Sequence, residues 1–170
     1  MTHPHLRRFD QPVRWPVPPF RVVLVRPEIP PNTGNIARLC AATGTPLHLV
    51  GPMGFRLSDK SLLRAGLDYW KAVDMQAHGD WDDFRKVVPL AADRVHLFST
   101  AGQRSLFDAK FQAGDVLIFG SESLGLPDPL LREFPDRILG IPMRAGDVRS
   151  LNLSTSVGIA LYEALRQQQP

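Results

Sequence analysis

The side chains best suited to chemistry in this chain form a polar run near its C-terminus. Ser150, Asn152 and Ser154 follow a predicted strand at 137–141 and overlap the start of an amphipathic segment, 152–168, that is typical of a helix. Small hydroxyl and amide side chains at such a place can bind the free backbone N–H groups of the first helical turn. The run holds more polar groups than one helix cap needs, so it predicts a binding site at the end of a strand.

A second polar segment follows another predicted strand. It reads Phe-Gly-Ser-Glu-Ser-Leu-Gly-Leu-Pro over 119–127, and its glycines, Gly120 and Gly125, are expected to let a ligand approach the backbone closely. The spacing is neither that of a dinucleotide fingerprint nor that of a P-loop. A plain turn between a strand and a helix explains this segment equally well.

A third segment starts with a Pro-rich stretch, 27–33, for which we expect a loop. Asn32 lies in this stretch, and Arg38 comes six residues later, about one and two-thirds helical turns further on. The simple interpretation makes Asn32 a helix N-cap and Arg38 a solvated helix residue. The alternative is that both residues belong to a functional site.

The length and composition indicate one compact domain. The chain has 170 residues, a net charge of +3 and one cysteine, which excludes an internal disulfide framework. No apolar stretch is long enough to cross a membrane, and the first residues lack the apolar centre of a secretory signal, so a cytoplasmic location without membrane contact is predicted. We expect an irregular, basic, Pro-rich arm at 1–19 and a single domain at 20–170. The basic excess fits a polyanion partner such as RNA, or an ordinary solvated surface.

Short apolar strands alternate with helices along the chain. The strands are continuous apolar runs, which is typical of a parallel sheet buried on both faces, so we predict an α/β fold with helices covering both faces. The last helix carries an apolar stripe from Leu153 to Leu165 that exceeds what a thin sheet covers, which predicts pairing of two chains. The predicted strands are 20–26, 47–50, 94–99, 116–119 and 137–141, and the predicted helices are about 34–43, 58–65, 81–88, 127–134 and 152–168.

The sequence pattern does not indicate a metal site. The five histidines are scattered without the spacing of metal ligands. Cys40 has apolar neighbours in a predicted helix, so we expect a small core residue there. A Ser-His-Asp set cannot be identified at this level, because such triads are recognised by geometry.

Taken together, the three segments resemble the SPOUT superfamily of trefoil-knotted RNA methyltransferases, and within it the TrmL (YibK-like) tRNA ribose 2′-O-methyltransferases. The resemblance covers about residues 21–168, with the motifs in the family's order. The first arm departs from the compact form of the family. The matching stretches are PEIPPNTGNIARLCAATG from residue 27, GPMGF at 51–55, RAGLDYW at 64–70, FGSESLGLP at 119–127, and IPM with RSLNLSTSVGIALYEALRQ within 141–167.

The resemblance implies an activity, partners and site residues. It implies a C-terminal trefoil knot, S-adenosylmethionine as cofactor without a metal, a homodimer, and 2′-O-methylation of the wobble nucleotide, cytidine or uridine 34, of leucine tRNAs. By motif position, the cofactor-binding residues are Phe98, Gly120, Ile141 and Ser150, with Phe98 and Ile141 contributing mostly backbone groups and apolar walls. The residues linked to catalysis are Asn32, Arg38, Glu122, Ser150 and Asn152.

Methyl transfer from a sulfonium is an in-line displacement that needs no metal. It demands alignment and a ribose hydroxyl made more nucleophilic. Because a free guanidinium stays protonated, we expect Arg38 to hold a phosphate and stabilise the forming alkoxide rather than act as a simple base. Asn32 could orient Arg38, and Glu122 could hold Arg38 in place or take the proton.

Two other functions remain open on the sequence alone. The same chemistry could act on ribosomal RNA, although a chain of 170 residues leaves no obvious extra RNA-binding domain. A non-catalytic RNA-binding protein could use the same scaffold, although the intact polar set argues against it.

Overall fold

The described part of the chain is built on one parallel sheet of seven strands. The computed structural model describes residues 13–56, 72–144 and 146–170, and elements are numbered within those residues. All pairings are parallel, in the order β3-β2-β1-β6-β4-β7-β5, so the predicted parallel α/β fold is confirmed. The strands are β1 (Arg21–Val25), β2 (Leu47–Val50), β3 (Met75–His78), β4 (Val95–Phe98), β5 (Arg104–Ser105), β6 (Val116–Phe119) and β7 (Ile138–Gly140).

Helices cover both faces of this sheet. In β1, Val22 and Leu24 belong to one apolar cluster while Val23 and Val25 belong to a second, because successive side chains of a strand point to opposite faces. The first cluster is covered by α1 and α4, and the second by α2 and α3. The α-helices of the described residues are α1 (Pro30–Thr43), α2 (Trp81–Val87), α3 (Asp128–Glu133) and α4 (Leu153–Arg166).

Helix α1 begins earlier than the sequence prediction, and the expected loop over 27–33 is wrong from Pro30 onward. Pro30 and Pro31 occupy the first helical positions, where their fixed φ suits the helix and a missing N–H costs nothing. The N-cap is Ile29, so Asn32 lies inside the first turn and the N-cap interpretation of Asn32 is wrong. The helix ends, as predicted, at Gly44, whose φ of 64° is left-handed.

The remaining helices agree with the sequence pattern within a few residues. Asp80 caps α2, because its carboxylate accepts the backbone N–H of Asp83 at 2.9 Å. Pro127 precedes α3, and Asn152 is the N-cap of α4. The helix predicted at 58–65 lies outside the described residues.

The sequence prediction misses the two edge strands. In β3 only His78 is buried, and β5 consists of two residues. An edge strand pairs on one side only and is more exposed, so it need not carry the continuous apolar run by which buried strands are recognised.

The link between β4 and β5 crosses directly over β7. Phe98, which ends β4, and Arg104, which starts β5, both pair with Leu139 from its two sides. A Cβ on Gly102 would lie 2.4 Å from the carbonyl carbon of Leu139, and a Cβ on Gly140 would lie 2.8 Å from the carbonyl oxygen of Gly102. Glycine is therefore required where the two backbones touch. The crossing holds the ends of β4 and β7 together at one edge of the sheet.

Residues 13–19 precede the sheet without regular secondary structure. The backbone of Arg14 exchanges two hydrogen bonds with the side chain of Gln169, at 2.9 and 3.0 Å, so this segment lies beside the end of the chain. In the described part of the chain, no helix combines the length and the apolar character needed to cross a membrane.

Candidate active site

A cleft of about 890 Å³ opens at the carboxyl ends of β4, β6 and β7. Ligands of open parallel sheets bind in the crevice beyond these ends, so the position is typical of an active site. The crossing segment, the turn after β6 and the polar run before α4 form its walls. Of the residues expected at a site, Asn32, Phe98, Gly120, Glu122, Ile141, Ser150 and Asn152 line the cleft.

The polar centre of the cleft is a relay of three side chains from three distant segments. The Nδ2 of Asn152 donates to the Oδ1 of Asn32 at 2.9 Å, and the Nδ2 of Asn32 donates to the Oε1 of Glu122 at 2.9 Å. Asn32 is only 6% exposed. The structure therefore brings together one residue from each of the three polar segments of the sequence.

The direction of this relay is fixed at both ends. At one end, the Oδ1 of Asn152 accepts the backbone N–H groups of Ser154 and Thr155 at 2.9 and 3.4 Å, so its Nδ2 must face Asn32. The Oδ1 of Asn32 accepts from this Nδ2, so Asn32 presents its own Nδ2 to Glu122, whose oxygen accepts. Each amide thus has one possible orientation, and Asn152 serves both as the helix cap and as a member of the site.

Glu122 also joins the turn after β6 to the start of α1. Its Oε2 accepts the backbone N–H of Glu28 at 2.8 Å, and its Oε1 accepts that of Ile29 at 3.2 Å. The two prolines that follow Ile29 have no N–H, so the carboxylate binds the donors immediately before them. Glu122 thereby fixes the position of Asn32 in the wall of the cleft.

An aromatic pair forms the inner wall. Phe98 and Phe119 end the neighbouring strands β4 and β6, and their rings stack with centroids 4.6 Å apart and 6° between the planes. Ile141 is partly buried against the same apolar cluster. This wall suits the planar or apolar part of a small molecule.

Gly120 is covered by the turn that follows it. A Cβ at this position would lie 2.0 Å from the carbonyl carbon of Gly125 and 2.2 Å from the backbone nitrogen of Leu126. Ser121 and Gly125 close the turn by exchanging N–H···O bonds of 3.1 and 2.9 Å, and the φ of Gly125 is 69°. Glycine is therefore required at this position by its own loop, and contact of Gly120 with a ligand stays a prediction.

Arg38 lies apart from the cleft. Its side chain is exposed on α1, and it is not among the lining residues. Six residues of helix turn it away from the face of Asn32 and displace it about 9 Å along the axis. The described partners of Glu122 are Asn32 and two backbone N–H groups, and a contact of Glu122 with Arg38 stays a prediction.

Sequence reasoning misses Glu28 and Ser123 at this site. The Glu28 carboxylate accepts the Ser123 backbone N–H at 3.1 Å and its hydroxyl at 2.7 Å. Both residues lie in segments that the sequence singles out, but no local pattern pairs an acid in one loop with a serine 95 positions later. Their partnership follows only from the parallel pairing of β1 with β6, which aligns the two strand ends.

The other reactive side chains belong to the core. Cys40 is buried, as predicted, and burial raises the pKa of its thiol to about 12, which leaves it unreactive. His48 and His78 form a buried pair between β2 and β3, with 3.0 Å between the His48 Nδ1 and the His78 Nε2. Within residues 13–56, 72–144 and 146–170, no three or more His, Cys, Asp or Glu side chains form a group that could hold a metal ion.

Comparison with known proteins decides the family. Residues 19–162 match the family described as SpoU rRNA Methylase. The chain belongs to this family. The family predicted from the three motifs is thereby confirmed, and the chain is an enzyme of the methyltransferase class.

Relatives of similar length have a more specific name. The tRNA (cytidine(34)-2'-O)-methyltransferases of Burkholderia cenocepacia (strain HI2424) and Methylovorus glucosotrophus (strain SIP3-4) are each 50% identical to this chain over 149 residues, which is 87% of this chain and 95% of the relative.

Solved structures share the fold. One described as structural insights into the 2-OH methylation of C/U34 on tRNA has a TM-score of 0.81 and 52% identity, and the match covers 87% of this chain and 95% of that one. An AdoMet-bound rRNA methyltransferase from Sinorhizobium meliloti has a TM-score of 0.78 and 30% identity, over 89% of this chain and 57% of that one.

Proposed function

We propose that this chain methylates the ribose 2′-oxygen of nucleotide 34, cytidine or uridine, in tRNA, with S-adenosylmethionine as methyl donor. The observation that carries the proposal is the Asn152–Asn32–Glu122 relay in the cleft of a chain whose 50%-identical relatives are named for this reaction. The choice of leucine tRNAs rests on the motif resemblance and stays a prediction.

The cleft residues fit S-adenosylmethionine. When bound, this group supplies a methyl on a positively charged sulfur, which is the leaving group of the displacement. Its planar base and apolar edges match the wall of Phe98 and Ile141, and its polar groups match the turn after Gly120 and the hydroxyl of Ser150. We propose these four residues as the cofactor-binding set.

We propose that the relay binds the ribose 2′-oxygen. An amide nitrogen carries two hydrogens, and the relay uses one from Asn32 and one from Asn152. The second N–H of each can donate to the 2′-oxygen as that oxygen loses its proton. Donors held in place beforehand stabilise such a developing anion without reorganising during the reaction. In this scheme Glu122 positions Asn32, and the proton of the 2′-hydroxyl passes to solvent water as the bond from oxygen to the methyl forms and the bond from the methyl to sulfur breaks.

We propose that Arg38 acts on the RNA outside the cleft. RNA is far larger than the cleft, and an exposed guanidinium on the helix that carries Asn32 can bind a phosphate next to the target nucleotide. Bidentate binding of that phosphate aligns the ribose with the relay. This role keeps the guanidinium protonated throughout.

We propose a homodimer in the cytoplasm, on a different argument from the one the sequence suggests. The apolar stripe of α4 packs largely within its own chain, against the sheet and α1, so the stripe itself is not the surface that a partner would cover. The exposed apolar side chains of this helix are Ile159 and Tyr162, at 37% and 55%. Pairing of the family's enzymes through this region, together with the small size of the chain, supports a dimer.

We further propose that residues 20–170 form one methyltransferase domain with a C-terminal trefoil knot; of the arm predicted at 1–19, residues 1–12 lie outside the described residues. The crossing of the β4–β5 link over β7 at Gly102 supports the knot, because chain connections in most folds do not thread one another.

Ribosomal RNA is the second candidate substrate, because the family as a whole is described as an rRNA methylase. The two are separated by supplying the purified protein with S-adenosylmethionine and either unmodified tRNA transcripts or ribosomal RNA. Mass spectrometry of nuclease fragments should find a ribose methyl at nucleotide 34 of tRNA. Methylation of ribosomal RNA alone would exclude the proposal in favour of this second candidate.

A further inference from the structure

Glu28 and Glu122 clamp two segments of the site to each other from opposite directions. Glu122, in the turn after β6, accepts the backbone N–H groups of Glu28 and Ile29 before α1. Glu28, before α1, accepts the backbone N–H and the hydroxyl of Ser123 in the turn. Each segment thus supplies a carboxylate to the backbone of the other.

The two halves of this clamp differ in what they hold. Glu122 faces the cleft and binds Asn32 as well. Glu28 does not line the cleft, and its two acceptor bonds end on Ser123, which does. The bonds of Glu28 are with the outer part of the turn, where Ser123 and Leu124 are exposed and lie outside the strands of the described residues.

We propose that Glu28 is a positioning residue that holds the 121–125 turn in the shape required for cofactor binding. This inference rests on the proposed function only for the identity of the cofactor. Without the Glu28 bonds, the turn keeps its closing bonds between Ser121 and Gly125 and the bonds made by Glu122, but its outer part at Ser123 loses its tie to the segment before α1. Its outer half then moves, and the cleft wall that includes Glu122 loosens with it.

Hydrogen bonding, and not charge, is what this role requires. A glutamine at position 28 can accept the Ser123 N–H with its oxygen and donate to the Ser123 hydroxyl with its nitrogen, because a hydroxyl both donates and accepts. Glu28→Gln therefore preserves the tie, whereas Glu28→Ala removes it. A proton-transfer role for Glu28 would make both variants fail.

The test measures hydrogen–deuterium exchange of the 120–126 backbone and the dissociation constant of S-adenosylmethionine by calorimetry. We expect Glu28→Ala to speed exchange in this peptide and weaken binding about 10-fold, in line with the loss of two hydrogen bonds. Glu28→Gln should stay within about 3-fold of the parent protein, and Ser123→Ala, which loses only the hydroxyl bond, should fall between them. Asp136→Ala, an exposed acid away from the cleft, should change neither quantity.

Unchanged exchange in Glu28→Ala would overturn the proposal, and so would equal losses in Glu28→Ala and Glu28→Gln. If Glu28→Ala fails to fold, Ser123→Ala and Glu28→Gln still decide the matter through the same two measurements. Exchange needs neither cofactor nor RNA, so a parent protein that binds no S-adenosylmethionine would overturn the proposed function while the exchange result still tests the clamp.

Discussion

At the scale of single residues, the site depends on two side-chain amides, Asn32 and Asn152, whose orientations are fixed by their hydrogen bonds. Asn152 is held by the N–H groups of α4, and Asn32 is held by the carboxylate of Glu122. A buried polar group with fixed partners is costly to disturb, because any replacement leaves a donor or acceptor unsatisfied. Asn32 is such a buried group, and donors held in place beforehand stabilise a developing anion, which is the physical reason to assign the ribose oxygen to the amides rather than to Arg38, which does not line the cleft.

The proposed role of Arg38 predicts a separation of two kinetic properties. Arg38→Ala should lower kcat/KM for tRNA about 100-fold, because a donor to the aligned RNA is lost, while the dissociation constant of S-adenosylmethionine changes less than about 2-fold. Arg38→Lys should also fail, since lysine cannot form the planar bidentate contact. Steady-state methylation and calorimetry measure the two quantities.

Arg132→Ala provides the matched control, because Arg132 is also an exposed helical arginine. It should methylate tRNA at the parent rate. Full activity of Arg38→Ala would contradict the phosphate-binding role while leaving the fold and the cofactor site untouched.

The sequence predicts the members of the relay but not their contacts. Asn32, Glu122 and Asn152 can be recognised as motif residues, yet the separations of 90 and 120 positions between the bonded pairs are bridged only by the sheet order. Glu28 shows the limit more clearly, because nothing local distinguishes its carboxylate from that of an ordinary loop residue. Polar partners across a fold carry no periodic signal of the kind that apolar faces do.

At the scale of elements, two turns set the shape of the cleft. At the start of α1, two prolines lack the backbone N–H groups that would otherwise need partners. In the turn after β6, Gly120 and Gly125 allow the chain to fold back on itself. The sequence indicates both turns through their prolines and glycines. It does not indicate that Gly120 serves its own loop, because a glycine needed by a ligand and a glycine needed by a neighbouring backbone look alike in a sequence.

The loop geometry predicts that Gly120→Ala damages the fold together with the site. A methyl group 2.0 Å from backbone cannot be accommodated without moving the turn, so the free energy of unfolding should fall by about 2–4 kcal/mol. Gly158→Ala is the matched control, because a Cβ there meets nothing within 4 Å and alanine favours the helix by about 0.5–1 kcal/mol. Urea denaturation measures both, and an unchanged midpoint for Gly120→Ala would contradict the close packing of the turn.

At the scale of the whole molecule, the parallel sheet follows directly from the apolar runs, whereas the crossing at Gly102 does not. Continuous runs such as Val116–Phe119 indicate strands buried on both faces, and the structure has them so. The crossing needs only Gly102 and Gly140 to face each other, which two isolated glycines do not reveal.

The buried histidine pair predicts a pH dependence of stability. Burial, and then the neighbouring His78, lowers the pKa of His48 from 6.5 to about 4. Between these values the unfolded chain binds a proton that the folded chain does not, so the free energy of unfolding should fall as the pH is lowered from 6.5 toward 4. The expected loss is about 3 kcal/mol, measured by urea denaturation across this range.

The variant His48→Gln should flatten this slope, because it keeps a hydrogen-bonding side chain and removes the titrating group. Asp115 does not account for this slope. Its burial works against ionisation, but hydrogen bonds from His96, the Gln112 N–H and Arg94 together lower its pKa. The stability that its carboxylate contributes is therefore lost at a lower pH. An equal slope in His48→Gln would show that His48 is not its source.

The central claim is that this chain places a methyl on the ribose of nucleotide 34 in tRNA. Its most direct test is nucleoside mass spectrometry of tRNA, with fragment mapping, from cells that have the protein, cells that lack it, and lacking cells that express the Asn32→Ala variant. We predict that the 2′-O-methyl group at nucleotide 34 is present only where the unaltered chain is present, and that leucine tRNAs carry it. An unchanged level of that modification in cells without the protein would contradict the claim.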